Sequence, residues 1–184
     1  MRKFIFIAVL ALLCSSGLLG QNFVTKNGNI RFYSEGKIEK IEAMNHQVNA
    51  AMNSQTGDFV FKVLMKSFQF EKALMQEHFN ENYVESDKFP TATFLGKVAN
   101  IKDVNFTKDG SYPATVEGKL TIHGVSHDVK ATGTFEVKKD VVQGKAKFFV
   151  TLADYNINIP SAVVSNIAKA VEVTVDVTLE KFNK

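Results

Sequence analysis

From Val171 to Leu179 the chain alternates without a break. Val171, Val173, Val175, Val177 and Leu179 fall on one side, and Glu172, Thr174, Asp176 and Thr178 on the other. A period of two is strand geometry, with one face wet and the other apolar. Similar writing recurs upstream. Phe59, Phe61, Val63 and Met65 share a face within Asp58–Phe68. Val116, Gly118, Leu120 and Ile122 alternate with Glu117, Lys119 and Thr121. Val129, Ala131, Gly133, Phe135 and Val137 alternate with Lys130, Thr132, Thr134 and Glu136. Ala146, Phe148, Val150 and Leu152 oppose Lys145, Lys147 and Thr151. Further strands are expected over Asn29–Ser34, which is short, over Ile38–Met52, which is long and mixed, and over Thr91–Val104.

Turn residues separate these segments: Gly36, Gly57, Asp109-Gly110, His123-Gly124, and Asp140 with Gly144 nearby. About eight strands joined mostly by short turns predict an all-β, antiparallel up-and-down sheet. Such a sheet, apolar on one face, closes on itself and so loses its edges. Two segments break the period. Glu71–Tyr83 places Leu74, Met75, His78 and Phe79 at helical spacing. Pro160–Ala170 opens on proline and carries Val163, Val164 and Ile167, a helical turn before the last strand. The expectation is one domain with one or two short helices.

The N-terminus reads differently. Arg2 and Lys3 precede an apolar run from Phe4 to Leu13, with Ser15, Ser16, Gly17 and Gly20 after it. This is the layout of a secretory signal peptide, expected to span residues 1–20 and leave a domain over 21–184. A retained anchor, or a lipid on Cys14, are the alternatives. Cys14 is the only cysteine, so the exported domain has no disulfide and relies on its core. The location implied is periplasmic or secreted. The formal net charge of +3 falls to about +1 without Arg2 and Lys3, and no basic stripe is present. Nucleic-acid binding lacks its electrostatic footprint.

No catalytic constellation emerges. His123 and His127 have the spacing of helical metal ligands, but they flank a turn containing Gly124. Ser126-His127-Asp128 are triad residue types, yet adjacent side chains do not converge. Glu77, Glu81 and Glu85 read as a solvated face. The chain is expected to be a non-enzyme with no metal and no cofactor.

Four strings then occur in order: Gln76-Glu77-His78-Phe79; Phe89-Pro90-Thr91-Ala92-Thr93-Phe94; Gly118-Lys119-Leu120-Thr121-Ile122-His123-Gly124-Val125-Ser126; and Ala153-Asp154-Tyr155-Asn156-Ile157. Together they resemble the YceI family of exported bacterial proteins, over about Asn29 to Leu179. The resemblance implies a lipocalin-like barrel holding a polyisoprenoid chain in an apolar tunnel, and the expected cargo is a quinone or its precursor.

A barrel of this size is either filled by its own side chains or holds one small ligand. Gly118, Ala131, Gly133 and Ala146 are expected on the inner face, where small residues either leave volume or let strands coil closely. The expected lining is Phe61, Val63, Phe94, Gly118, Leu120, Ala131, Gly133, Phe135, Phe148 and Val150. On that reading, leucine at 118 or 133 blocks the channel and leaves the barrel folded. The Glu71–Tyr83 and Asn156–Ile167 segments are the expected mouth or lid. The partner is an apolar small molecule, an isoprenoid lipid; transient membrane contact and homodimerisation are compatible with this. The rival is a ligand-free structural or interaction module of the cell envelope, marked by an exposed apolar patch.

Overall fold

The computed structural model describes residues 21–37, 39–160 and 167–182. The leader at 1–20 and the core of the expected helical turn, 161–166, lie outside the described residues.

Among the described residues nine strands run β1 (Asn22–Glu35), β2 (Lys40–Asn53), β3 (Asp58–Leu64), β4 (Gln69–Phe70), β5 (Thr91–Val98), β6 (Gly110–Ile122), β7 (Val125–Lys138), β8 (Val141–Thr151) and β9 (Ala170–Lys181). All pairings are antiparallel. The order β1-β9-β8-β7-β6-β5-β3-β2 closes through β1 against β2, and the two-residue β4 adds to β2. The result is the expected closed eight-stranded barrel.

Three segments differ from expectation. β1 begins at Asn22, well before Asn29. Its register shifts between Thr25 and Ile30, where Gly28 packs against Val48 and Val177. A bulge hides the period of two at that point. β3 stops at Leu64, and a 3₁₀ turn at Met65–Ser67 leads into β4. β5 stops at Val98, before a second 3₁₀ turn at Ile101–Asp103. The expected helix is short: α1 spans Ala73–His78 and relaxes into a π turn over Phe79–Tyr83. Neither part contains a fully buried residue. Leu74, expected on the packed face, is 60% exposed.

The connections are unequal at the two ends. One end carries the turn after β2, the tight turn at Lys139–Asp140 and the 99–109 loop. The other carries the β1–β2 turn, the long 65–90 connection, the His123-Gly124 turn and the connection from β8 to β9. His123 and Gly124 both have positive φ, 51° and 74°, as a two-residue hairpin turn requires. The apolar interior divides accordingly. Around Phe23, Met52, Val98, Val142 and Leu179 the barrel is filled by its own side chains, and Val104 and Phe106 of the 99–109 loop pack against it. This is the floor. The second cluster surrounds a void and forms the mouth.

Candidate functional site: an apolar chamber in two parts

A cavity of about 450 Å³ occupies the mouth half. That is the size of a small-molecule site. β1 contributes Ile30, Phe32 and Ser34, β3 contributes Val63, and β6 contributes Leu120 and Ile122. β8 supplies Phe148 and Val150, and β9 supplies Val171 and Val173. These are alternate residues, which is why they share the inner face. Phe68, Phe70, Met75, Phe79, Tyr83 and Val84 close the space from the 65–90 connection. Four of the aromatic rings pack together: Phe32 lies 5.5 Å from each of Phe68, Phe70 and Phe79, and Phe70 lies 5.0 Å from Phe79.

A second cavity of about 110 Å³ lies deeper, against the floor. Ile30, Val63, Ala92, Leu120 and Phe148 line both, so the two are chambers separated by a waist. Phe61 faces the inner chamber between Phe59 at 4.6 Å and Phe94 at 6.2 Å.

The charged groups of the mouth chamber lie at its rim, while Thr93, Thr134 and Lys145 border the inner chamber. Glu39 of the β1–β2 turn pairs with Lys72, which precedes α1, so an ion pair sits on one side of the rim. Glu39 raises the Lys72 pKa, first by hydrogen bonding and then by charge. His78 and Tyr83 complete the rim. Ser34 lines the chamber too, but its hydroxyl accepts a 2.8 Å hydrogen bond from the Ala168 N–H.

A bracket holds the rim on the opposite side. His123 Nε2 stands 2.7 Å from Glu85 Oε2, and its Nδ1 stands 3.1 Å from the Tyr155 carbonyl. The side chain is only 11% exposed, and Phe89 packs edge-on at 4.5 Å. His127 Nε2 lies 2.7 Å from the Asp154 carbonyl, with its ring 5.2 Å from Tyr155. Three connections thus meet at one point, and Glu85, His123 and Asn156 each adopt a positive φ there. His123 thus ties its own hairpin turn to the connections that carry Glu85 and Tyr155. Burial, then the Asp154 charge, raises the Tyr155 hydroxyl above its ordinary pKa.

The structure places the ten sequence-selected lining residues in three groups. Val63, Leu120, Phe148 and Val150 line the mouth chamber. Phe61, Phe94, Ala131, Gly133 and Phe135 line the inner one, where Val63, Leu120 and Phe148 also appear. Gly118 lines neither, which corrects the expectation. It pairs with Gly96, and a Cβ there would stand 2.4 Å from the Gly96 Cα and 2.5 Å from the Leu95 carbonyl oxygen. The Phe94 ring already covers both glycines. At Gly133 a Cβ would meet the Lys145 carbonyl oxygen at 2.2 Å. The Phe135 ring likewise covers its cross-strand partner Gly144. These glycines admit neighbouring rings and close strands. Leucine at 118 or 133 therefore breaks strand packing before it can plug a channel.

Sequence reasoning missed the contributions of β1, the aromatic cluster and Val171 and Val173. The alternation Ile30-Phe32-Ser34 and the phenylalanines at 68, 70 and 79 were the available signals. Both expected lid segments reach the mouth chamber: α1 through Leu74 and Met75, and the 156–167 segment through Ile157, Ile159 and Ile167.

Comparison with known proteins matches this architecture. A polyisoprenoid-binding domain from Saccharophagus degradans, implicated in plant cell wall breakdown, superposes with a TM-score of 0.76 at 13% identity. The match covers 89% of this chain and 99% of that one. BcnA of Burkholderia cenocepacia gives 0.67 at 14% identity, over 83% and 95%. A Campylobacter jejuni YCEI protein gives 0.53 at 14% identity, over 69% and 73%. These likenesses establish a shared fold. No curated protein gives a significant match. The model of the YceI-like domain matches residues 22–179, which include every strand but the last two residues of β9, and the chain is therefore a member of the YceI-like domain family.

Proposed function

We propose that the protein binds a polyisoprenoid lipid in the two-part chamber, chain inward and head group at the rim, and that it sequesters or carries that lipid outside the cytoplasm. The observation that carries this reading is the chamber itself: its outer part is about 450 Å³, walled largely by aliphatic and aromatic side chains, with Glu39 and Lys72 at the opening. Burial drives binding, at roughly 0.8 kcal/mol per methylene removed from water. A prenyl chain supplies many such groups and needs no hydrogen bond along its length. The Glu39–Lys72 pair, His78 and Tyr83 offer both acceptors and donors to a head group, and a quinone or its precursor fits that chemistry. The Saccharophagus degradans neighbour, a polyisoprenoid-binding domain, supports the ligand class.

The reading involves no covalent step. On this reading the signal-like residues 1–20 direct export and are removed, and the protein acts in the periplasm or outside the cell. Among the described residues no helix is long and apolar enough to cross a membrane.

The ligand-free envelope module is less well supported. Val60 and Leu95 do face each other on the outer wall, but Leu74, Phe149 and Phe182 are exposed elsewhere. Natively purified protein, extracted with organic solvent and analysed by mass spectrometry, is expected to yield prenyl lipid near one equivalent. Repeated extracts without lipid, and no uptake of added prenol, would refute the binding reading.

A further inference from the structure

The barrel wall has an unpaired seam, and the geometry points to it as the side door through which the lipid chain enters and leaves. This inference rests on the binding reading above and adds a route to it. The β7–β8 ladder runs from Lys138↔Val141 to Gly133↔Ala146 and ends there. From Thr132 back to Val125, β7 pairs only with β6, and from Lys147 to Thr151, β8 pairs only with β9. Above the last bridge the two strands part, until His127 reaches the Asp154 carbonyl. Between Gly133 and His127 the gap is about 20 Å long, at ~3.3 Å per residue.

Three observations tie this gap to the chamber. Val129 and Ala131 on one side, and Ala146 and Phe148 on the other, line the inner chamber, and Phe148 and Val150 line the mouth chamber. The seam therefore runs alongside both. Thr134 and Lys145, a bridged pair just below it, also border the inner chamber, so the space reaches the wall at this point. Phe149 stands on the outer lip and is 68% exposed, an apolar side chain beside the opening.

Other interruptions of the wall are filled. Where β1 and β9 part between Val24 and Asn29, the Val177 side chain occupies the space against Gly28. Where β2 leaves β3, the buried Asn45 donates to the Leu64 carbonyl at 2.9 Å, and Ser67 donates to Gln47. Among the described residues, the β7–β8 seam is held only at its ends, by the Gly133↔Ala146 bridge below and by His127 on the Asp154 carbonyl above. The chamber is also blind, because the floor is packed. A long chain fed end-on must thread the waist formed by Ile30, Val63, Ala92, Leu120 and Phe148. A chain laid in sideways crosses no ladder hydrogen bond and passes both chambers at once.

The test is exchange kinetics in a Cys14→Ser background, which leaves introduced thiols as the only ones. Thr132→Cys with Lys147→Cys flanks the seam, and a short bis-maleimide joins the two. Lys97→Cys with Glu117→Cys, a bridged pair on the outer face of β5 and β6, is the control. Uptake and release of a fluorescent prenol are followed before and after cross-linking. The expected result is at least a tenfold fall in both rates for the seam pair, with Kd within about threefold, and no change for the control. Unchanged rates after joining the seam, or an equal fall in the control, would overturn the side door while leaving the binding site standing. Absence of prenol binding in the unmodified protein would overturn the binding reading itself, and the side door with it.

Discussion

The floor and the mouth of this barrel are made from the same kinds of residue and end in opposite states. At the floor, Phe23, Met52, Val98, Val142, Val177 and Leu179 are at most 1% exposed. At the mouth, Phe32, Phe70, Phe79, Leu120, Ile122 and Phe148 stay half-buried around a void. The difference lies in what crosses each end. Short turns and the 99–109 loop draw the floor closed, and Val104 and Phe106 fill it. The 65–90 connection and the segment after β8 instead arch over the mouth, braced at the rim by His123, His127 and the Glu39–Lys72 pair. Hydrophobic patterning sets which side chains face inward. Whether they meet is decided by the loops.

The largest way to sharpen this contrast is a matched truncation. Leu179→Ala at the floor is expected to cost about 3 kcal/mol, from lost transfer energy and a cavity that cannot collapse. Leu120→Ala at the waist should cost about 1 kcal/mol in stability, because its side chain already borders space, and should weaken prenol binding instead. Denaturant midpoints and a binding titration separate the two. Equal stability losses would break the comparison.

Gly118→Leu comes next. With the Gly96 Cα and the Leu95 carbonyl in its way, it is expected to destabilise by about 1–3 kcal/mol through overpacking. A stable barrel with abolished binding would restore a channel-lining role for this glycine.

His123→Ala removes the group that meets Glu85 and Tyr155 together, at about 1–2 kcal/mol for a part-buried interaction with a carboxylate. Amide exchange should quicken at 84–89 and 152–157 and stay unchanged in β9 near Leu179. Uniform quickening would show that mouth and floor are one cooperative unit.

The smallest effect is one of pH. Tyr155 has its folded pKa above that of an unfolded tyrosine, about 10. Its contribution is thus complete below the unfolded value and is lost as pH rises through the folded one. The protein should lose stability above about pH 10, and Tyr155→Phe should flatten that slope.

The barrel was legible because β6 to β9 alternate cleanly and their turns are marked by His123-Gly124 and Asp140. β1 was read short because its bulge at Thr25–Ile30 interrupts the period. The inner chamber was partly legible through Phe61, Phe94 and Phe135. The main chamber was less so, because more than a third of its lining comes from the connection at 65–90, where Phe68, Phe70 and Phe79 follow no single period. Gly118 was misread for a different reason. A glycine on the inner face is equally consistent with empty space and with a neighbour's ring, and only the position of Phe94 decides between them.

Hydrogen exchange with and without a long-chain prenol tests the central claim most directly. Added prenol should slow exchange in α1, 84–90, 122–125 and 152–157, and leave the strands around Phe23, Met52 and Leu179 as they were. No change at the mouth, or protection centred on the floor, would contradict a lipid seated in the hollow half.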